Sequence, residues 1–555
     1  MLVQWRFREP AVGFRDTIRR PAHPVDRIQR MAAKELTAAT EETPAAKPAA
    51  GGTLTAKLKP VKKAPGSAPA ATAPATSAAP AAPAPPPPEQ LAQWQALEPE
   101  QRLALREREA VRMFAQGLEH HQKGELREAV KVYGQALLLN PKLSEIYINM
   151  GVALRALGKL ESSIACYRRS LVLRPDNAAA HTNLGNVLRQ LGRLEVATAA
   201  HRQAVKLAPD TAEAHYNLGL VLRDTGESEE AIGCFDKTLE LAPEHPGYRW
   251  DRSLSLLQKG DLKGGFEEYE WRWKLDRNPP RDFPQPLWDG SDLKGKTILL
   301  HHEQGFGDMI HFARYIPMVK ARGGTIVVEV PAALSRLFST IEGVGQVVNA
   351  GSELPKFDVY APMMSLARIF GTTSETIPAT VPYLKAPDAH AAQLPATLSP
   401  HRKIGIAWAG RPIHKNDANR SCSFNHFIEL MGIPETTLYS LQQGPAADDI
   451  AEEGCEALIM NLGNKLRDFA DIAAVISQLD MVISVDTAIA HLAGAMGKPV
   501  WVVVPYPGDW RWLLDRDDSP WYPTARLFRQ NRPGSWTPVF DRLRRALRDE
   551  ITGKA

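Results

Sequence analysis

Four prolines, Pro141, Pro175, Pro209 and Pro243, fall 34 residues apart. The same interval separates Gly117, Gly151, Gly185 and Gly219, and again Gly124, Gly158, Gly192, Gly226 and Gly260. Ala129, Ser163, Ala197, Ala231 and Gly265 mark a small-residue position, with Tyr133, Tyr167, His201, Phe235 and Tyr269 four places later. A repeat of this size cannot bury its apolar face alone, so the units must stack on one another. They run over 110–143, 144–177, 178–211, 212–245 and a divergent 246–279, in which Ser253 replaces the first glycine. The last unit ends in YEWRW (269–273) and is expected to cap the array and join it to the next domain.

This pattern resembles the tetratricopeptide repeat (TPR), in which two antiparallel helices pack through the small residues. Such stacks present a concave groove lined by the first helix of each pair. Asn149, Asn183 and Asn217 share one repeat position, and Arg155, Arg189 and Arg223 share another. At about 100° per residue the two rows stand about 120° apart on the helix. The amides are suited to the backbone of an extended peptide and the arginines to carboxylates or a chain terminus. The plain alternatives are a repeat-wide preference for Asn and solvated Arg on a helix surface. The groove is expected to bind a protein.

The chain of 555 residues has room for several domains. Its 67 basic and 63 acidic residues nearly balance, so global charge argues for neither nucleic acid nor a membrane surface. No apolar run approaches the ~20 residues of a membrane span. The four cysteines form no CxxC pair and have no His at metal-ligand spacing, which suits a reduced, cytoplasmic protein. Cys166 and Cys234 lie two periods apart with Ala200 midway, one small packing position of the repeat. Residues 1–30 hold seven arginines and no apolar h-region, so they are no secretory signal. Met31 is an alternative start to Met1. Residues 37–88, almost wholly Ala, Pro, Thr, Lys and Ser, cannot offset their ordering entropy. Residues 1–109 are therefore expected to be a basic N-terminus and disordered linker.

After the proline-rich joint DRNPPRDFPQPLWDG (276–290), the pattern becomes strand alternating with helix. Short apolar runs occur at 297–300, 325–330, 346–350 and 357–362, then, beyond a spacer near 386–401, at 403–410, 436–443, 457–463, 481–485 and 500–504. This predicts parallel sheets with helices on both faces. Two such units in tandem, 284–385 and 400–551, would set ligands at the strand C-terminal ends.

Two strand-to-helix turns carry the chemistry. In HHEQGFGDMIHF (301–312), Asp308 sits where a helix N-terminus would otherwise attract phosphate, so no nucleotide is expected there. In MVISVDTAIAHLAGAMGKPVWVVV, Asp486 or Thr487 caps a helix and His491 falls one turn later on the same face. Thr487 and the free N–H groups around it suit a diphosphate, with His491 adding a donor or positive charge. A purely structural reading makes Asp486 a cap and His491 a polar helix residue. Asp515 and Asp517 imitate a metal-binding DxD but lie in a helix-end loop. No P-loop, HExxH or nucleophile elbow is present.

The stretches EQGFGDMIHFARYIP, IAWAGRPIHKNDANRS, SLQQG, DFADIAAVISQLDMVISVDTAIAHLAGAMGKPVWVV and DWRWLLDRDDSPWYP resemble the bacterial heptosyltransferase family (glycosyltransferase family 9-like), over residues 284–540. The layout is similar to TPR-type flagellin and protein O-glycosyltransferases. The resemblance implies an α solenoid followed by an α/β region of GT-B type, two Rossmann-like doubly wound domains. It implies a metal-independent, inverting transferase with a nucleotide-sugar as co-substrate and no cofactor. The first half would hold the acceptor, with Asp308 as general base. The second would hold the nucleotide-sugar through Asp486, Thr487, His491 and Gln443, with Lys415 and Arg420 neutralising the leaving diphosphate. The acceptor recruited by the repeats would be a protein Ser/Thr hydroxyl, as in flagellin. Alternatives are a lipopolysaccharide or surface-glycan transferase, and a non-catalytic TPR adaptor. Against the family pattern the first α/β half is short, and Pro317 lies deep enough to kink its helix.

Overall fold

The computed structural model describes residues 94, 96–276, 278–387, 394, 401–412 and 416–553. The expectations for residues 1–93 and for Lys415 fall outside these residues. Two compact units divide between Val187 and Leu188.

In the first unit, helices Pro99–Gln122, Leu126–Leu139, Ser144–Ala156 and Leu160–Leu173 alternate as expected. The leading helix starts at Pro99 rather than at 110, with Pro99 in its first turn, where no N–H is needed. The repeating glycines have two separate jobs. Gly124 and Gly158 adopt φ of 78° and 74° between paired helices, a left-handed turn that favours glycine. At Gly117 and Gly151 a Cβ would come within 2.5 and 2.6 Å of the Tyr133 and Tyr167 rings. Glycine there lets the helices of a pair close on a buried aromatic.

The second unit holds helices Leu194–Leu207, Ala212–Asp224, Ser228–Leu241, Pro246–Lys259 and Leu262–Tyr269, then a 3₁₀ turn, Glu270–Lys274. Among the described residues, ten parallel strands follow in two sheets. The first has β1 (Thr297–His301), β2 (Thr325–Val330), β3 (Val344–Asn349) and β4 (Val359–Pro362) in the order β3-β2-β1-β4. The second has β5 (Arg402–Ala407), β6 (Thr436–Ser440), β7 (Ile459–Asn461), β8 (Met481–Val485), β9 (Val500–Val504) and β10 (Ala525–Arg529), in the order β10-β9-β8-β5-β6-β7. Strand β10 was not among the apolar runs read from the sequence; its arginines at 526 and 529 interrupt the run.

Strand alternation divides the second sheet's core cleanly. Val482, Val500, Val502 and Val504 face one apolar cluster, while Ile483, Val485, Trp501 and Val503 face another with Phe540 and Leu543 of the helix Thr537–Ile551. The first cluster continues through Leu257, Leu262, Phe266 and Tyr269 of the last repeat. YEWRW does act as a joint. Arg272, 1% exposed, donates to Glu303 at 2.8 and 3.1 Å and to Ser365 Oγ at 2.8 Å, anchoring the turn after β1. The helix after β1 breaks rather than bends. Phe306–Phe312 gives way to a 3₁₀ turn, Ala313–Tyr315, and Pro317 opens a new helix, Ile316–Lys320. No helix among the described residues is long and apolar enough to cross a membrane.

Candidate functional site

The turns after β1 and β8 open into one cavity of about 1630 Å³ in the second unit. Asp308, Arg420, Gln443, Asp486, Thr487 and His491 all line it, and so do Arg189 and Arg223 of the repeats. Gly307 lets the two turns approach, because a Cβ there would stand 3.0 Å from the His491 ring and 3.7 Å from Ala488 Cα.

At the first turn Gln304 takes a left-handed φ of 51°, held by its amide donating to Tyr269 Oη at 2.9 Å. Asp308 Oδ2 accepts from Gly305 N–H at 2.8 Å, so the carboxylate fills its own helix N-terminus. Its other oxygen, Oδ1, pairs with Arg511 Nη2. Arg511 also donates to Asp509 at 2.9 Å. Burial opposes the charge on Arg511, but Asp509 and Asp308 outweigh it and hold the guanidinium protonated.

The second turn is built differently. Thr487 occupies the N-cap position of the helix Ala488–Ala495, but its side chain caps nothing and its Oγ lies 3.0 Å from Ser484 Oγ. The expected side-chain cap is therefore corrected, and the first helical N–H groups are not met by Thr487. Arg420 donates to Asp486 O at 3.3 Å and to Asp417 at 3.2 Å. Gly410 makes room for this pair, since a Cβ there would overlap the Arg420 guanidinium and the Asp417 carboxylate. Burial, with the Asp509 carboxylate nearby, pushes the Asp486 carboxyl up to about 6. Gln443 reaches the carbonyls of Leu466 and Gly463 at 3.4 and 3.5 Å.

His491 is 5% exposed, and its Nδ1 lies 3.0 Å from Tyr522 Oη. That same hydroxyl lies 3.0 Å from His311 Nδ1. One hydroxyl has one proton, so at most one of the two rings accepts from it and at least one donates to it. Burial and the neighbouring Arg511 hold His491 well below the usual imidazole range. Of the two roles read for it, a donor or a positive charge, burial disfavours the charge.

The repeat rows are corrected in part. Arg189 pairs with Asp224 at 2.6 Å and Arg223 with Asp251 at 2.8 Å, so their carboxylate partners come from this chain. Asn149 and Asn217 donate to the carbonyls four residues back, Glu145 at 2.9 Å and Glu213 at 2.8 Å, which spends an amide hydrogen on their own helices. Asn183 is half-buried, and Arg155 is exposed; with Asn149 they belong to the first compact unit. Arg511 and Arg411, both lining the cavity, were missed by sequence reasoning.

Residues 117–156, 153–188, 182–246 and 216–272 match TPR repeat families. Residues 424–503 match glycosyltransferase family 9 (heptosyltransferase). The chain thus joins TPR repeats to a segment similar to glycosyltransferase family 9. It is 29% identical over 326 residues to Protein FlbA of Caulobacter vibrioides, a match spanning 54% of each chain; this chain thus spans about half the length of that relative. Among solved structures, MamA from Desulfovibrio magneticus RS-1 aligns at 24% identity, over 31% of this chain and 97% of that one, with a TM-score of 0.29. PilF of Pseudomonas aeruginosa aligns at 21% identity, over 32% and 79%, with a TM-score of 0.29. Scores this low carry no argument. The family 9 match contains Gln443, Asp486, Thr487 and His491, whereas Asp308, Arg420 and Arg511 lie outside it.

Proposed function

We propose that the second unit is a GT-B type, metal-independent, inverting glycosyltransferase, and that the TPR arm delivers a protein acceptor to it. The observation carrying this reading is that Asp308 and the Asp486–Thr487–His491 turn line one cavity from the ends of two parallel sheets. The nucleotide-sugar diphosphate would lie at the uncapped helix start of Ala488–Ala495, with Arg420 opposing its charge. The acceptor hydroxyl oxygen attacks the anomeric carbon from the face opposite the diphosphate. The bond from that carbon to the diphosphate oxygen breaks, the nucleoside diphosphate leaves with the electron pair, and Asp308 takes the hydroxyl proton. A protein acceptor, a Ser/Thr hydroxyl of the flagellin kind, is favoured because Arg189, Arg223, Trp250 and Leu254 of the repeats form one wall of the cavity.

A thermal-shift panel of UDP-, GDP-, ADP- and CMP-sugars on the full chain tests the donor half of this reading. At least one donor raises the melting temperature, and that donor supports turnover. No shift with any of the four contradicts the reading, and binding without turnover leaves an inert, adaptor-like domain.

A further inference from the structure

Arg511 stands between the two turns and takes no part in the chemistry above. It donates to Asp308 on one side and to Asp509 on the other, and its charge is felt by Asp486 and His491. It is 7% exposed and lines the cavity, yet its buried Nε has no hydrogen-bond partner. A guanidinium presents five donors in a planar fork that matches phosphate oxygens, so a cavity-lining guanidinium with one N–H unused is suited to an anion. The loop that carries it is fixed from behind: Tyr506 Oη donates to Thr225 O, Gln258 donates to Gly508 O at 3.2 Å, and Trp510 packs edge-on against Phe266. Arg511 can therefore change partners without the loop moving.

We propose, resting on the donor-site reading above, that Arg511 is a diphosphate ligand for which Asp308 competes. Donor binding exchanges the carboxylate for a phosphate oxygen and frees Asp308 Oδ1 for the acceptor hydroxyl. While Arg511 holds Asp308 Oδ1, that oxygen is engaged and is not free to take the acceptor's proton. The exchange ties the base's availability to the presence of donor. It gives the enzyme an order, donor before acceptor, and protects the site from binding acceptor unproductively.

The test is a double-mutant cycle on the full chain, read by calorimetric titration with inorganic pyrophosphate. Because Asp308 competes with the anion for Arg511, Asp308→Asn tightens pyrophosphate binding by about 3- to 10-fold. Arg511→Gln weakens it by about 10-fold or more, the range expected for a lost charge-assisted hydrogen bond. In the Arg511→Gln background, Asp308→Asn produces no further tightening. Arg511→Lys, which keeps the charge against Asp509, serves in the same cycle should the Gln variant melt early; it too shows weakened binding and a reduced Asp308→Asn effect. Pyrophosphate binding in which the Asp308→Asn effect keeps its full size without the guanidinium overturns the exchange while leaving the donor site standing. Absence of pyrophosphate binding in all the proteins overturns both.

Discussion

The turns after β1 and β8 share a plan: a parallel strand, a short turn and a helix N-terminus facing one cavity. They differ in what fills that N-terminus. After β1, Asp308 accepts from Gly305 N–H at 2.8 Å, so the positive end of the helix already carries a carboxylate. After β8, the Thr487 hydroxyl turns back to Ser484, and Arg420 adds a cation beside the helix start. One local fold thus gives a helix start filled by a carboxylate and one whose N-cap side chain turns away. Their chemistry is decided by a few side chains, not by the strand–turn–helix itself.

Arg272→Ala disturbs the first turn most and spares the second. The change leaves buried Glu303 unpaired beneath the first turn and costs about 3–5 kcal/mol of stability, measured by chemical denaturation. At a temperature where the variant stays folded, donor binding at the second turn persists. Asp308→Asn keeps size and capping ability, so fold and donor binding survive while transfer falls by at least ~100-fold in a steady-state assay. Near-normal turnover would remove the general base. At the second turn, Thr487→Ala or His491→Ala weakens donor affinity by about 10-fold without unfolding the protein. Unchanged affinity in both moves the phosphate site elsewhere. The smallest effect concerns pH. Asp486 titrates near 6, so lowering pH from 8 towards 6 removes a negative charge beside the diphosphate, and nucleotide-sugar affinity tightens a few-fold. In Asp486→Asn that pH dependence disappears.

The repeat array was legible because its signal recurs: each glycine and aromatic position is written several times, and the packing explains both. The strands were legible where apolar runs were unbroken, and β10 was lost to its arginines. Asp308, Asp486, Thr487, His491, Arg420 and Gln443 were found by motif, and the structure draws them around one cavity. Their partners were not legible. Nothing local announces that Arg511 meets Asp308 across 203 positions, that Tyr522 bridges His311 and His491, or that Asn217 spends its amide on Glu213. Protonation was equally hidden, because His491 reads as a donor or a cation until its burial is known.

The most direct measurement is a crystal structure of the full chain with the nucleotide-sugar selected by thermal shift. The diphosphate is predicted to accept from the N–H groups at the start of Ala488–Ala495 and to contact Arg420, with Asp308 still capping Gly305. A diphosphate seated on the Gly305–Gly307 turn, with Asp308 displaced from it, would contradict the assignment of the two turns.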